Sequence, residues 1–86
     1  MQDKKGLKEE YTVVAHGCNW AIRNSLTGEF LYRINKTGEY GNKERIENAL
    51  NNNKRLRYDM ALFGCYNKMD AVRICEQINS NKIKLL

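Results

Sequence analysis

The chain repeats one pattern twice, as RIENALNNNK at residues 45–54 and as RICEQINSNK at residues 73–82. In each copy apolar residues recur at intervals of three and four, which is typical of one buried face of an amphipathic helix. Each copy ends in asparagines and a lysine, and asparagine tolerates the left-handed conformation that often ends a helix. The repeat therefore predicts two short helices, at about 42–53 and 68–79.

Asparagine also begins both predicted helices. Asn42 and Asn67 each directly precede the apolar pattern, where an asparagine side chain can accept hydrogen bonds from free amides of the first turn. The second helix has the clearer core-facing stripe, which consists of Ala71, Ile74, Cys75 and Ile78.

Extended, aromatic-rich chain precedes the first helix. Residues 11–15 are β-branched and aromatic, and His16-Gly17 supplies a turn. Residues 19–24 and 29–34 alternate in polarity and flank the loop 25–28, so they predict a β-hairpin. Its core face would carry Trp20, Ile22, Phe30, Tyr32 and Ile34.

The remaining segments have weaker secondary-structure signals. Residues 35–41 contain two glycines and are interpreted as a turn. Residues 57–65 fit a fourth strand or a helix, and the strand is favoured because Gly64 and a new helix cap follow at once. The apolar end of the chain, residues 83–86, can pack on the core, pair as an edge strand, or contact a partner.

Together these elements predict an α+β fold with the order β-β-β-α-β-α. We expect a small two-layer sandwich, in which an antiparallel sheet of three or four strands has two short helices on one face. Residues 1–9 are polar and charged and are predicted to be a flexible tail, and residues 10–86 a single domain.

Composition limits the classes of function. The 86 residues carry a net charge of +5, which suits a nucleic-acid partner, an acidic protein partner or simple solubility. Three cysteines fit a reducing compartment, and no apolar stretch reaches the ~18 residues of a membrane span. We expect a soluble cytoplasmic protein with no membrane contact, and a homodimer stays open.

Sequence motifs give little support to catalysis. The carboxylates are scattered, and there is no phosphate-binding loop, dinucleotide fingerprint or nucleophile elbow, so we expect no enzyme and no cofactor. Four residues are candidate zinc ligands, namely His16, Cys18, Cys65 and Cys75, but the cysteines lack close Cys-x-x-Cys spacing. Cysteines that pack in the core or serve no metal are the favoured interpretation, above all for Cys75 on its apolar stripe.

A basic connector between the two halves is the best candidate for binding. Lys54, Arg55 and Arg57 lie beside Tyr58, so cations can contact phosphates while the ring stacks on a base. Arg23 and Arg33 are predicted opposite the hairpin's core face and would extend the same positive surface. The alternative is a solvated connector with ordinary surface charges. The predicted binding residues are Lys54, Arg55, Arg57, Tyr58, Arg23 and Arg33.

Parts of the chain resemble small orphan proteins of phages and other mobile elements. The resemblance rests on YTVV at 11–14, NWAIR at 19–23, TGEFL at 27–31 and FGCYNKMDAVRICEQIN at 63–79. The sheet and helix are also similar to arm-type DNA-binding domains of phage integrases, although the second half departs from that plan.

This resemblance implies a non-enzymatic, anti-CRISPR-like inhibitor that occupies the surface of a host protein that handles nucleic acid. The alternative is a module that binds DNA or RNA directly, through the basic connector and the hairpin arginines.

Overall fold

The computed structural model describes residues 10–51 and 59–86, which form a small α+β fold, so the predicted fold class is confirmed. Their order has one strand more than predicted before the first helix. The elements are β1 Tyr11–His16, β2 Asn19–Asn24, β3 Leu31–Ile34, β4 Glu39–Asn42, α1 Lys43–Asn51, β5 Met60–Leu62 and α2 Lys68–Asn79.

β1 and β2 form a tight antiparallel hairpin. His16 pairs with Asn19, so only Gly17 and Cys18 lie in the turn. Gly17 has a φ of 62°, whereas Cys18 keeps a negative φ, which is the pattern of a type II′ turn. The predicted His16-Gly17 turn is therefore confirmed.

β2 and β3 begin as the predicted hairpin and then separate. The buried carboxamide of Asn24 accepts hydrogen bonds from the amides of Leu26 and Thr27 at 2.8 and 3.1 Å, which fixes the loop. Next to the loop, Arg23 pairs with Phe30 in a single bridge. Beyond that bridge β3 pairs with β4 and β5 instead of β2, so a continuous hairpin over 19–34 was wrong.

Residues 60–65, here called the inserted segment, fill the gap between the separated strands. β5 pairs antiparallel with β3, and the amide of Phe63 donates to the carbonyl of Leu31 at 2.9 Å. Three residues after β5, Cys65 and Trp20 of β2 exchange backbone hydrogen bonds of 2.8 and 3.0 Å. The strand predicted here is confirmed, the helical alternative is excluded, and the segment joins the two sheets.

Strand register decides which side chains share a face. Because Arg23 pairs with Phe30, these two lie on one face, while Ile22 lies on the other face with Leu31. The single core face predicted for the hairpin was therefore wrong. Trp20, Ile22 and Leu31 lie on what we call the α2 face, and Tyr32 and Ile34 lie on what we call the α1 face.

The two helices therefore lie on opposite faces of β3, not on one face of the sheet as predicted, and each face has its own apolar core. On the α2 face, the helix stripe predicted from sequence packs against β1, β2 and the inserted segment, and Phe63 is buried among them. On the α1 face, Ile46 and Leu50 pack against β3 and β4. The buried members are Ile22, Leu31, Phe63, Ala71, Cys75 and Ile78 in the first cluster, and Ile34, Ile46 and Leu50 in the second.

β4 replaces part of the turn predicted at 35–41. Only residues 35–38 form the connection, and Gly38 has a φ of 77°. Gly41 lies inside the strand because α1 and the end of the chain approach it closely. A Cβ atom built there would lie 3.1 Å from Cβ of Leu86 and 3.4 Å from Cγ1 of Ile46. Gly41, which indicated a turn in the sequence, instead allows close packing within the strand.

Asparagines cap the helices as predicted. The Asn42 and Asn67 side chains each accept a hydrogen bond of 2.8 Å from an amide of the following first turn. After α2, Asn81 adopts a left-handed φ of 65°, which confirms the predicted stop. Residues 52–53, where the first helix was expected to stop, lie outside the described residues, as do residues 1–9.

The end of the chain adds an edge to the second sheet. Leu85 bridges Tyr40 in parallel, and the Leu86 amide donates to the Tyr40 carbonyl at 2.8 Å. Nη1 of Arg45 in turn donates to the Leu86 carbonyl at 3.1 Å. Of the three roles left open for residues 83–86, edge pairing and core packing are therefore observed.

The Asn79 side chain takes the place of a neighbouring strand beside β1. Its Oδ1 accepts from the Tyr11 amide at 2.8 Å, and its Nδ2 donates to the Tyr11 carbonyl at 2.9 Å. A carboxamide has the same donor and acceptor as a peptide unit, so it satisfies both backbone groups of Tyr11. This contact fastens the end of α2 to the first strand.

Replacing Asn79 by alanine removes both hydrogen bonds, which leaves the Tyr11 amide unpaired and the Tyr11 carbonyl with only the Cys75 thiol as a donor. We expect Asn79→Ala to lower the free energy of unfolding by about 1–3 kcal/mol. The exposed Asn48 of α1 provides the control, because Asn48→Ala should change it by less than about 0.5 kcal/mol. Urea unfolding followed by circular dichroism measures both, and equal stabilities would contradict the role given to Asn79.

Candidate protein-binding face

A groove lies on the α2 face between α2, β3, β4 and the inserted segment. Its volume is about 450 Å³. Polar and charged side chains from all of these elements meet in it, and we call it the arginine groove. Its polar and aromatic lining consists of Arg33, Asn35, Tyr40, Phe63, Cys65, Asp70, Arg73 and Gln77.

Two arginines from different elements reach this groove. Arg33 is exposed on β3, where it pairs with Tyr40, and its Cζ lies 6.0 Å from the centroid of the Tyr40 ring. That geometry is a cation–π contact, which holds the guanidinium over the groove. Arg73 extends from α2 and forms an exposed ion pair with Asp70 one turn earlier.

The pKa of the Cys65 thiol depends on the charged groups of the groove. Burial raises its pKa above the ordinary value, and the Asp70 carboxylate raises it further. Arg33 and Arg73 both act in the opposite direction and lower it. Two cations and one anion therefore act on the same partly buried thiol, and the Asp70 carboxylate acts on it more strongly than either arginine alone.

Exposed apolar side chains adjoin the groove at the start of α2. Tyr66 is 87 % exposed and Met69 is 69 % exposed, which is unusual for side chains of this size. Nζ of Lys68 lies 5.0 Å from the centroid of the Trp20 ring, in a second cation–π contact. We call the arginine groove together with Trp20, Tyr66, Lys68 and Met69 the binding face.

The predicted binding residues do not form one surface. Arg33 lies in the arginine groove as part of the α2 face. Arg23 pairs with Phe30 and therefore lies on the opposite face of the sheet. The prediction that these two arginines extend one positive surface was wrong, because the odd spacing from Phe30 to Arg33 separates them. Lys54, Arg55, Arg57 and Tyr58 lie outside the described residues.

The predicted zinc set is spread over the fold. His16 packs against Phe30 with ring centroids 5.2 Å apart, and Cys18 is exposed in the neighbouring turn. Cys65 lies in the arginine groove, while Cys75 is buried and its Sγ donates to the Tyr11 carbonyl at 3.0 Å. Across residues 10–51 and 59–86, no group of three or more His, Cys, Asp or Glu side chains is placed to hold a metal ion.

Cys75 packs as a small core residue, as its helix stripe predicted. Burial raises the pKa of its thiol, the adjacent Glu76 raises it further, and a hydrogen bond from Asn79 opposes them. The neutral thiol is therefore favoured, which agrees with a packing role.

Sequence reasoning missed several members of the binding face. Tyr40 was assigned to a turn, so its pairing with Arg33 was not anticipated. Tyr66 and Met69 do carry a signal, because they are apolar residues placed before and outside the core stripe of α2. Gln77 and Asp70 carry none, since only the approach of α2 to β3 brings them to the groove.

Comparisons with known proteins do not assign this face a role. No protein family, no curated protein and no solved structure matches the chain at a significant level. Neither α1 nor α2, the helices of the described residues, is long and apolar enough to cross a membrane. The geometry of the binding face is therefore the basis on which a function is proposed.

Two substitutions should move the Cys65 pKa in opposite directions. Asp70→Asn removes an anion that raises it, so the thiolate should form at lower pH and alkylation should be faster at pH 8. Arg33→Gln removes a cation that lowers it, so alkylation should be slower. Iodoacetamide labelling across pH, read by peptide mass spectrometry in a Cys18→Ser background, measures both midpoints.

An exposed arginine on the other face supplies the control. Arg23→Gln also removes one positive charge, but it should leave the Cys65 midpoint unchanged because Arg23 lies outside the groove. Equal effects of Arg23→Gln and Arg33→Gln would show that net charge, rather than the local arrangement, sets the thiol pKa.

Proposed function

We propose that this chain is a non-enzymatic binding protein that acts by occupying a surface of another protein. The observation that carries the proposal is the meeting of Arg33 and Arg73 in a groove beside the exposed side chains of Tyr66 and Met69. Following the resemblance to mobile-element proteins, the partner would be a host protein that handles nucleic acid. Binding would block or modulate that protein, as in anti-CRISPR-like inhibitors.

The composition of the binding face supports a protein partner. Arginine, tyrosine, tryptophan and methionine are the residues that interfaces enrich, and arginine and the large aromatics carry most hot spots. The face combines these types within one continuous region, because Trp20 pairs with Cys65, which directly precedes Tyr66. Tyr66 and Met69 would lose their exposed apolar surface in a complex, which favours association.

The charges indicate what the partner presents. Arg33 and Arg73 both act on the Cys65 position, so a carboxylate of the partner placed between them could accept charge-assisted hydrogen bonds from each. Within residues 10–51 and 59–86, Arg33 has no ion pair to give up for this, and its contact is with the Tyr40 ring. An acidic patch with an apolar neighbour is therefore the expected complement, and the net charge of +5 would speed the encounter.

Direct binding of DNA or RNA is the second candidate. It is favoured by the two cation–ring pairs, Arg33 with Tyr40 and Lys68 with Trp20, because such pairs can contact phosphates and stack on bases. The Asp70 carboxylate in the same groove would repel a phosphate chain and a partner carboxylate alike, so it does not separate the two candidates. The protein partner is better supported because the exposed apolar surface of Tyr66 and Met69 would be covered by a protein and not by a phosphate backbone.

A matched pair of arginine variants tests the proposal. Tagged protein captures partners from lysates of candidate hosts, and mass spectrometry identifies a partner that is then titrated in purified form. We expect Arg33→Ala to weaken that binding about 30-fold, or about 2 kcal/mol, because it removes an interface arginine. Arg23→Ala, an equally exposed arginine on the other face, should leave the affinity unchanged.

Equal losses for the two variants would contradict the assignment of the binding face. A mobility-shift titration in increasing salt separates the two candidates. Direct nucleic-acid binding predicts an affinity that falls by about 0.7–0.9 log units per log unit of salt for each phosphate contacted. Capture that survives nuclease treatment, with no shift at low salt, supports the protein partner.

A further inference from the structure

The outer edge of β1 is an unpaired strand edge among the described residues. β1 pairs with β2 on one side only and is the first strand of its sheet. Edge strands usually carry charged residues, prolines or bulges that prevent pairing with another chain. The six residues of β1 read YTVVAH and contain no lysine, arginine, acidic residue or proline, and their register with β2 is continuous.

The direction of the β1 backbone groups follows from two contacts. The Tyr11 amide and carbonyl bond the Asn79 side chain, so they point away from β2. On β2, Trp20 directs its own groups at Cys65 and thus away from its β1 partner, Ala15. Since these directions alternate along an antiparallel ladder, the amides and carbonyls of Val13 and Ala15 also point outward.

We propose that this edge pairs with the same edge of a second copy of the chain. Two β1 strands would run antiparallel about a two-fold axis at Val14. Val13 would exchange hydrogen bonds with the partner's Ala15, and Ala15 with the partner's Val13. The two sheets would then continue as β2-β1 of one protomer followed by β1-β2 of its partner.

A second copy fits this edge because its outward backbone donors and acceptors are self-complementary. Under two-fold symmetry the outward groups of Val13 and Ala15 meet an identical set in reverse order, so each donor faces an acceptor. β1 contains no lysine, arginine, aspartate or glutamate, and His16 would face the partner's Thr12, so like charges do not meet across the strands.

Asn79 selects the register. An axis at Val13 would pair Ala15 with the partner's Tyr11, whose backbone groups already bond the Asn79 carboxamide. An axis at Ala15 would pair Val13 with the partner's Gly17, which lies in the turn with a φ of 62°. Only the axis at Val14 uses outward groups that are both extended and unoccupied among the described residues.

A proline substitution tests whether this edge forms the dimer. Ala15 directs its amide outward, so Ala15→Pro removes two of the four dimer hydrogen bonds, one from each protomer, without breaking the β1–β2 ladder. Ala15→Thr keeps the amide and is the matched control. By sedimentation equilibrium we expect wild type and Ala15→Thr to dimerise with a Kd between about 10 µM and about 1 mM, given the small interface. Ala15→Pro should weaken dimerisation at least tenfold.

Cysteine crosslinking tests the register and does not depend on proline being tolerated. In a Cys18→Ser background, Val14→Cys places two thiols directly opposite each other at the two-fold axis, where a disulfide can form. Thr12→Cys lies on the same face of the same strand, but its partner position is His16, so two copies of it are too far apart. Mild oxidation should yield a covalent dimer of the Val14→Cys protein and none of Thr12→Cys.

Three results would overturn the proposal. Wild-type protein that stays monomeric above about 1 mM would exclude the dimer. Dimerisation of folded Ala15→Pro protein with wild-type affinity would place the interface elsewhere. Crosslinking of Thr12→Cys in preference to Val14→Cys would exclude the register, and an edge that instead takes up an extended segment of another protein would give no crosslink with either. Ala15 adjoins Trp20 of the binding face, but the crosslinking positions Val14 and Thr12 lie on the other face of β1, so the crosslinking result is independent of the proposed function.

Discussion

The exchange of backbone hydrogen bonds between Trp20 and Cys65 is the contact on which the other parts of this fold depend. β2 and β3 leave their loop as a hairpin, and the inserted segment keeps them apart by pairing with both. Without the inserted segment, β3 would continue to pair along β2, and the two sheets would lose the segment that joins them. With it, α2 begins three residues after Cys65 and lies against the strands it covers, so the segment determines where the arginine groove forms.

Local features of the fold were predictable because they depend on residues close in sequence. The helix caps at Asn42 and Asn67, the stop at Asn81 and the apolar stripe of α2 need only the neighbouring turns, and all are observed. The features that failed depend on residues far apart. Gly41 indicated a turn because its packing against Leu86 and Ile46 cannot be read from its neighbours. The hairpin could not be seen to separate, because the segment that separates it follows about thirty residues later.

The same distinction explains what could be predicted of the site. Arg33 was identified as an exposed cation, and that is correct, but its partner surface was assigned to the side of Arg23. The alternation of side chains between the two faces of each strand was interpreted correctly, but the register that pairs β2 with β3 was unknown. Pairing of Arg23 with Phe30 sends the two arginines to opposite faces. Sequence can therefore suggest charged binding residues, whereas only the pairing of the strands shows which of them act together. Arg33 joins Arg73 and the exposed side chains at the start of α2, and Arg23 becomes the natural control.

The central claim is that the inserted segment, rather than β3, is the neighbour of Trp20. Scalar couplings across hydrogen bonds, measured by NMR on uniformly labelled protein, test it directly. The structure predicts a coupling between the Trp20 amide nitrogen and the Cys65 carbonyl carbon, and the reciprocal coupling from the Cys65 amide to the Trp20 carbonyl. A coupling from the Trp20 amide to the Arg33 carbonyl would instead show a continuous hairpin, and it would contradict this description of the fold and of its binding face.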